Sequence, residues 1–175
     1  MNRSLLIALA VLLSGLCTLQ AQQANPLSAN MKGSWTNIRD LLIKMVEKMP
    51  EENYRFKATP ELQDFGQRMS HAIQMIMRGC TDVKGQPKVL SFSAAPTKVE
   101  ALAAMKEASA ECDSVFNSLR DADATRMVAA TRGGMRPEFA VLQGMLEHSQ
   151  EMYGYMSVYL RLKGIVPPSS DRNDR

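Results

Sequence analysis

A chain of 175 residues with a formal charge of +3 is long enough for one hydrophobic core and too short for two. The charge is close to neutral and no long basic stripe runs through it, so the chain carries no electrostatic footprint for nucleic acid. Thirteen methionines and few β-branched residues favour helices with adaptable packing over strands.

The first residues read as a signal peptide over 1–21. "MNRSLLIALAVLLSGLCTLQAQQ" has one basic residue, Arg3, and then an apolar run from Leu5 to Leu16. That run is short for a bilayer span and suits a secretory leader, with Ala21 just before cleavage. A retained anchor helix is the alternative. Lipidation at Cys17 needs a small residue before it, and Leu16 stands there. The mature chain is therefore expected to be exported, periplasmic or secreted, with no stable membrane span after cleavage. Its folded domain is expected over 22–168, with a disordered tail over 169–175.

The first helix is predicted from about Ser28 to Lys48. Met31, Trp35, Ile38, Leu42, Met45 and Met49 alternate at spacings of four and three, which is one helix face, and Pro50 ends it. Thr59 followed by Pro60 reads as the cap and first-turn proline of the second helix. Leu62, Phe65, Met69, Ala72 and Ile76 share its inner face, and Gly79 is the expected stop. The stretch from Thr81 to Pro96 has little period. At about 3.3 Å per residue it reaches roughly 50 Å, enough to return along a helix and set two neighbours parallel.

Thr97 opens the third helix, with Leu102, Met105, Ser109, Cys112, Phe116 and Leu119 on its inner stripe. "RGGMRPEF" breaks the chain again, and Pro137 suits the first turn of the fourth helix. Val141, Met145, His148, Met152, Tyr155 or Met156, and Tyr159 line one side of that helix, and Gly164 ends it. No strand pattern of useful length is present. The fold class is all-α, a four-helix bundle.

Two cysteines lie outside the leader, Cys80 and Cys112. In an exported chain they form a disulfide candidate, and a bridge stabilises by about 3–4 kcal/mol on the chain-entropy model. Two buried free thiols are the alternative reading. Only parallel second and third helices bring the two thiols to similar heights.

Three stretches carry a family likeness. They are "MPEENYRFKATPELQDFGQRMSHA", "TKVEALAAMKEASAECDSVFNSL" and "EHSQEMYGYMSVYLRLKGIVPPSS". Together and in this order they resemble the DinB-like family over nearly all of the mature sequence. The resemblance implies an up-down-down-up bundle with a long connection between helices two and three. It also implies a divalent metal, Zn²⁺ or Ni²⁺, held by three histidines at one end of the bundle. Family members with known activity are often thiol-dependent S-transferases or isomerases, and homodimers are common. His71 matches the first histidine position and His148 the second. Met152 occupies the third.

Two histidines at i and i+4 with a third from another helix make a facial site with open positions. A neutral thioether in place of the third imidazole suits Cu(I) better than Zn²⁺ or Ni²⁺, so the divalent site is expected to be weak or absent. Glu151, three residues after His148, is the substitute-ligand candidate, giving His71, His148 and Glu151. By helix period alone His71 lies off the apolar face and reads as a surface residue. Glu107, Glu111, Asp121 and Asp123 read as solvated acids. No G-x-S-x-G, CxxC, P-loop or GxGxxG is present, so the catalytic residues stay unknown. The expected function is an exported bundle with a degenerate metal site that binds a small molecule or a partner without turnover. The alternative is an active metal-dependent transferase or hydrolase using His71, His148 and Glu151.

Overall fold

In a computed structural model the described residues are 25–171. The expected leader over 1–21 lies outside them. Helix α1 spans Pro26–Lys48, α2 Phe65–Val83, α3 Lys98–Ser118 and α4 Glu138–Leu162, and a two-stranded hairpin, β1 Met127–Ala130 and β2 Gly134–Pro137, precedes α4. Among the described residues no helix is long and apolar enough to cross a membrane.

Each helix starts where its orphan amides find acceptors. Helix α1 begins two residues earlier than expected because Pro26 takes the first helical position, where its fixed φ fits and no amide is lost. The Asp121 carboxylate then accepts from the Leu27 amide at 3.1 Å, the Ser28 amide at 2.8 Å and the Ser28 hydroxyl at 2.6 Å. Asp121 is thus the cap of another helix rather than a solvated acid. Helix α2 starts later than the Thr59–Pro60 reading. Asp64 and Gln67 form a complete capping box there, whereas Thr59 only closes a turn with the Leu62 amide. Thr97 opens α3 as the sequence predicts, and with Glu100 it forms the same device.

Helix directions follow from the contacts between them. Trp35 stacks on Phe116 at 5.6 Å, and its indole N–H donates to Asp113 at 2.7 Å, while Lys98 at the start of α3 reaches the Glu47 carbonyl near the end of α1. Helices α1 and α3 are therefore antiparallel. The Tyr159 hydroxyl, late in α4, donates to the Gln63 carbonyl just before α2, so α2 and α4 are antiparallel too. The Cys80 and Cys112 sulfurs are bonded across α2 and α3, with Cα atoms 5.2 Å apart. Cys80 is close to the end of α2 and Cys112 is well along α3, so these two run parallel. The result is an up-down-down-up four-helix bundle.

The long connection makes the parallel pair possible and is pinned along its length. The Gln74 side-chain amide bonds both the amide and the carbonyl of Leu90, at 3.2 and 2.7 Å, and the Thr81 hydroxyl accepts from the Lys88 amide. Lys84 meets Glu111 at 2.6 Å and Lys88 meets Glu107 at 2.5 Å. These acids on α3 pair with lysines of the connection, Glu107 while still exposed.

The core is filled from all four helices, and the predicted α1 face is buried as drawn. On α4 the open alternative resolves to Met156, which is buried, while Tyr155 is 47% exposed. Gly79 does not end α2. The helix runs on to Val83, and Gly85, at φ +68°, turns the chain beyond it. Gly79 instead lets α4 approach: a Cβ there would stand 2.8 Å from both Cβ and Cγ of Met145.

The hairpin departs from the expectation of no strand. Its two four-residue strands are mostly exposed, so they show no inside–outside alternation. Gly133 and Gly134, both at positive φ, make the turn, and the buried Asp82 carboxylate anchors it to α2 by accepting from the Thr131 amide at 2.8 Å and hydroxyl at 2.6 Å. Within the expected tail over 169–175, the described residues are held: Ser169 donates its amide to the Tyr153 hydroxyl at 2.8 Å and Lys48 holds Asp171 at 2.5 Å.

Gly79→Val should overpack this contact and cost about 1–3 kcal/mol. Gly79→Ala should cost less, because alanine regains about 1 kcal/mol of helix propensity. Urea unfolding of the purified variants measures both. Removing the bridge with Cys80→Ser and Cys112→Ser together should lower stability by about 3–4 kcal/mol in the same experiment without reductant, and leave the reduced protein's stability little changed.

Candidate functional site

The antiparallel α2–α4 seam brings His71 and His148 together although 77 positions separate them in the chain. Their Nε2 atoms are 3.0 Å apart and their rings meet edge to face at 5.0 Å. Both residues are half-buried. The His71 position, off the innermost face of α2, is thus not a bare surface one: it faces the groove beside α4.

The other ring nitrogen of His148 decides the proton arrangement. Its Nδ1 lies 3.1 Å from a Glu151 carboxylate oxygen. A carboxylate only accepts, so His148 Nδ1 carries the hydrogen and donates to Glu151. In the neutral ring Nε2 is then the acceptor, and His71 Nε2–H donates to it. Glu151, 51% exposed, therefore sits beside the nitrogen that points away from His71. It orients the His148 ring, the task carboxylates commonly perform beside histidine, and it does not converge with the two Nε2 atoms as a third ligand.

Charge around the pair is positive. Burial, His148, and the guanidiniums of Arg132, Arg68 and Arg78 together hold the His71 pKa below its ordinary 6.5. Arg68 lies over the Tyr155 ring at 5.1 Å, and its Nε is buried without a hydrogen-bond partner. Such a field disfavours a second positive charge at the imidazoles, whether a proton or a metal cation.

A three-histidine divalent centre needs three converging nitrogens. The residues present supply two, and the third position holds Met152, which is 3% exposed and part of the core. Among the described residues no group of three or more His, Cys, Asp or Glu is placed to hold a metal ion. The donor set and the surrounding arginines do not fit the centre that the family resemblance implies.

Along the same groove a cavity of 230 Å³ opens between α2, α4 and the hairpin. Met75 and Arg78 follow His71 at four and seven residues, and Met145 and Val141 precede His148 at three and seven, so the cavity continues the face that carries the histidines. Arg132 and Arg136 of the hairpin close its outer side. Sequence reasoning missed these arginines. The only signal was the "RGGMR" run, which reads as a chain break when the hairpin is not recognised.

A family model described as the DinB superfamily matches residues 34–156. Among solved structures, a DinB-like protein from Bacillus cereus aligns with a TM-score of 0.61 at 18% identity, covering 79% of this chain and 93% of that one. A DinB-like protein from Bacillus subtilis aligns with a TM-score of 0.63 at 15% identity, covering 77% and 92%. At these identities the likeness is one of fold. No curated protein matches the chain. The family match runs from the first helix of the bundle through the histidine-bearing part of the last, and the chain belongs to the DinB superfamily.

Proposed function

We propose that this protein is an exported binding bundle whose α2–α4 groove takes a small molecule without metal-dependent turnover. The observation that carries this reading is the direct His71–His148 hydrogen bond at 3.0 Å, with a buried thioether where a third imidazole would stand. The two Nε2 atoms satisfy each other and Glu151 orients the pair, so neither Nε2 is left facing an open coordination position. The sequence of residues 1–21 supports export. So does the Cys80–Cys112 bond, since such bonds persist in oxidising compartments.

The alternative, a transferase or hydrolase with a metal on His71, His148 and Glu151, requires the Glu151 carboxylate to leave His148 Nδ1 and swing to the other side of the ring. Losing that bond would also release the ring orientation on which a ligand role depends.

Metal content of the mature protein, purified without chelator, separates the two. The expected result is no stoichiometric metal in the unmodified chain and a gain of divalent metal in Met152→His. Stoichiometric metal in the unmodified chain, lost in His148→Ala, would overturn the metal-free reading and favour the enzyme alternative. A second expectation concerns pH. The His71 pKa is depressed in the folded state, so the unfolded chain binds that proton first. Stability is then full above the ordinary histidine value of about 6.5, and falls as pH drops from there toward the folded-state pKa. Urea midpoints across this range should show the decline, and His71→Gln should flatten it.

A further inference from the structure

The cavity beside the histidine pair has a composition that names its ligand class. Three guanidiniums line it, Arg78, Arg132 and Arg136, against one carboxylate, Asp82, which leaves its wall at +2 (three positive minus one negative). Both Asp82 oxygens are already taken by Thr131, so that carboxylate holds the hairpin rather than neutralising an arginine. Among the described residues none of the three arginines has a carboxylate partner. Arg78 reaches only the Met75 sulfur at 3.8 Å, and Arg136 only the Ala140 carbonyl at 3.5 Å. The rest of the lining is apolar, chiefly Met75, Val141 and Met145. A larger hollow of 530 Å³ beside the long connection differs in this respect, because its Lys88 and Glu107 are paired with each other at 2.5 Å.

We propose that this cavity binds a small amphipathic oxyanion, with its carboxylate or phosphate head on Arg78, Arg132 and Arg136 and its apolar body on Met75, Val141 and Met145. The inference rests on the binding reading above and adds the ligand's chemistry. Planar guanidinium forks match carboxylate and phosphate oxygens in pairs. A floor of methionines adapts to the body of the ligand. The volume of 230 Å³ is just below the about 300–1,000 Å³ of sites for drug-sized ligands, so the occupant is small. Two of the three arginines stand on the hairpin. The Thr131–Asp82 bonds fix that hairpin to α2 one residue before Arg132, which makes Asp82 a positioning residue for the site.

Calorimetric titration of the full mature chain in chelator tests this, with octanoate, octyl phosphate and uncharged octanol as probes. At least one of the two anions should bind roughly tenfold to a hundredfold tighter than octanol, the range of one charge-assisted hydrogen-bonded contact, and the stronger of the two identifies the head group. Arg132→Met and Arg136→Met lie on the exposed hairpin and should each weaken the anion while leaving octanol unchanged. Thr131→Val, which removes the hydroxyl bond to Asp82 without changing the charge of the wall, should weaken it as well, and His71→Gln should leave it intact. Octanol binding as tightly as both anions, or no binding of any probe, would overturn the oxyanion assignment while leaving a metal-free bundle. Anion binding that appears only when Zn²⁺ is added, and vanishes in His71→Gln, would overturn the binding reading itself.

Discussion

The close approach of α2 and α4 at Gly79 is the contact on which the site depends. No side chain intervenes there, so the Met145 Cβ and Cγ lie only 2.8 Å from where a Cβ of residue 79 would be. About two turns back on α2 and one turn on along α4, the same seam brings two imidazole nitrogens to 3.0 Å. A side chain at position 79 would spread the helices, and the histidines would then face one another across water. The glycine costs the helix about 1 kcal/mol of propensity relative to alanine, and close packing of two long helices offsets that cost.

Which helices share the seam follows from the connection between α2 and α3. A short turn would have made those helices antiparallel and placed Cys80 far from Cys112. The pinned return along Gln74, Thr81 and Lys88 makes them parallel instead. Helix α4 then runs antiparallel to α2, with His148 level with His71. The hairpin closes the far end of the groove through a single buried acid, Asp82, and brings two arginines over it. Fold, bridge and site thus trace back to one choice of chain direction.

Much of this was legible in the sequence. Periodicity on α1 and α4, the Thr97 cap, the Gly164 stop and the long connection all appear in the structure in their expected roles. Local signals failed where tertiary contacts set the outcome. Gly79 reads as a stop because glycine commonly follows a helix, but here it serves a neighbouring helix invisible in one dimension. Asp121 reads as solvated, yet it caps a helix some ninety residues earlier. The hairpin strands are too short and too exposed to alternate. For the site, the two histidines and Met152 were found through the family likeness. Their mutual hydrogen bond and the arginines around them needed three-dimensional proximity.

The chemistry of the groove is that of two imidazoles satisfying each other within a field of guanidiniums. In the proposed reading such a pair takes no cation and leaves the adjoining arginines to an anion. Nitrogen-15 NMR of the histidine side chains, at about pH 8 where ordinary histidine is neutral, tests this most directly. Hydrogen on Nδ1 of His148 and on Nε2 of His71, with both signals unmoved by added Zn²⁺, is the expected result. Zn²⁺ shifting both Nε2 resonances to metal-bound values would contradict it.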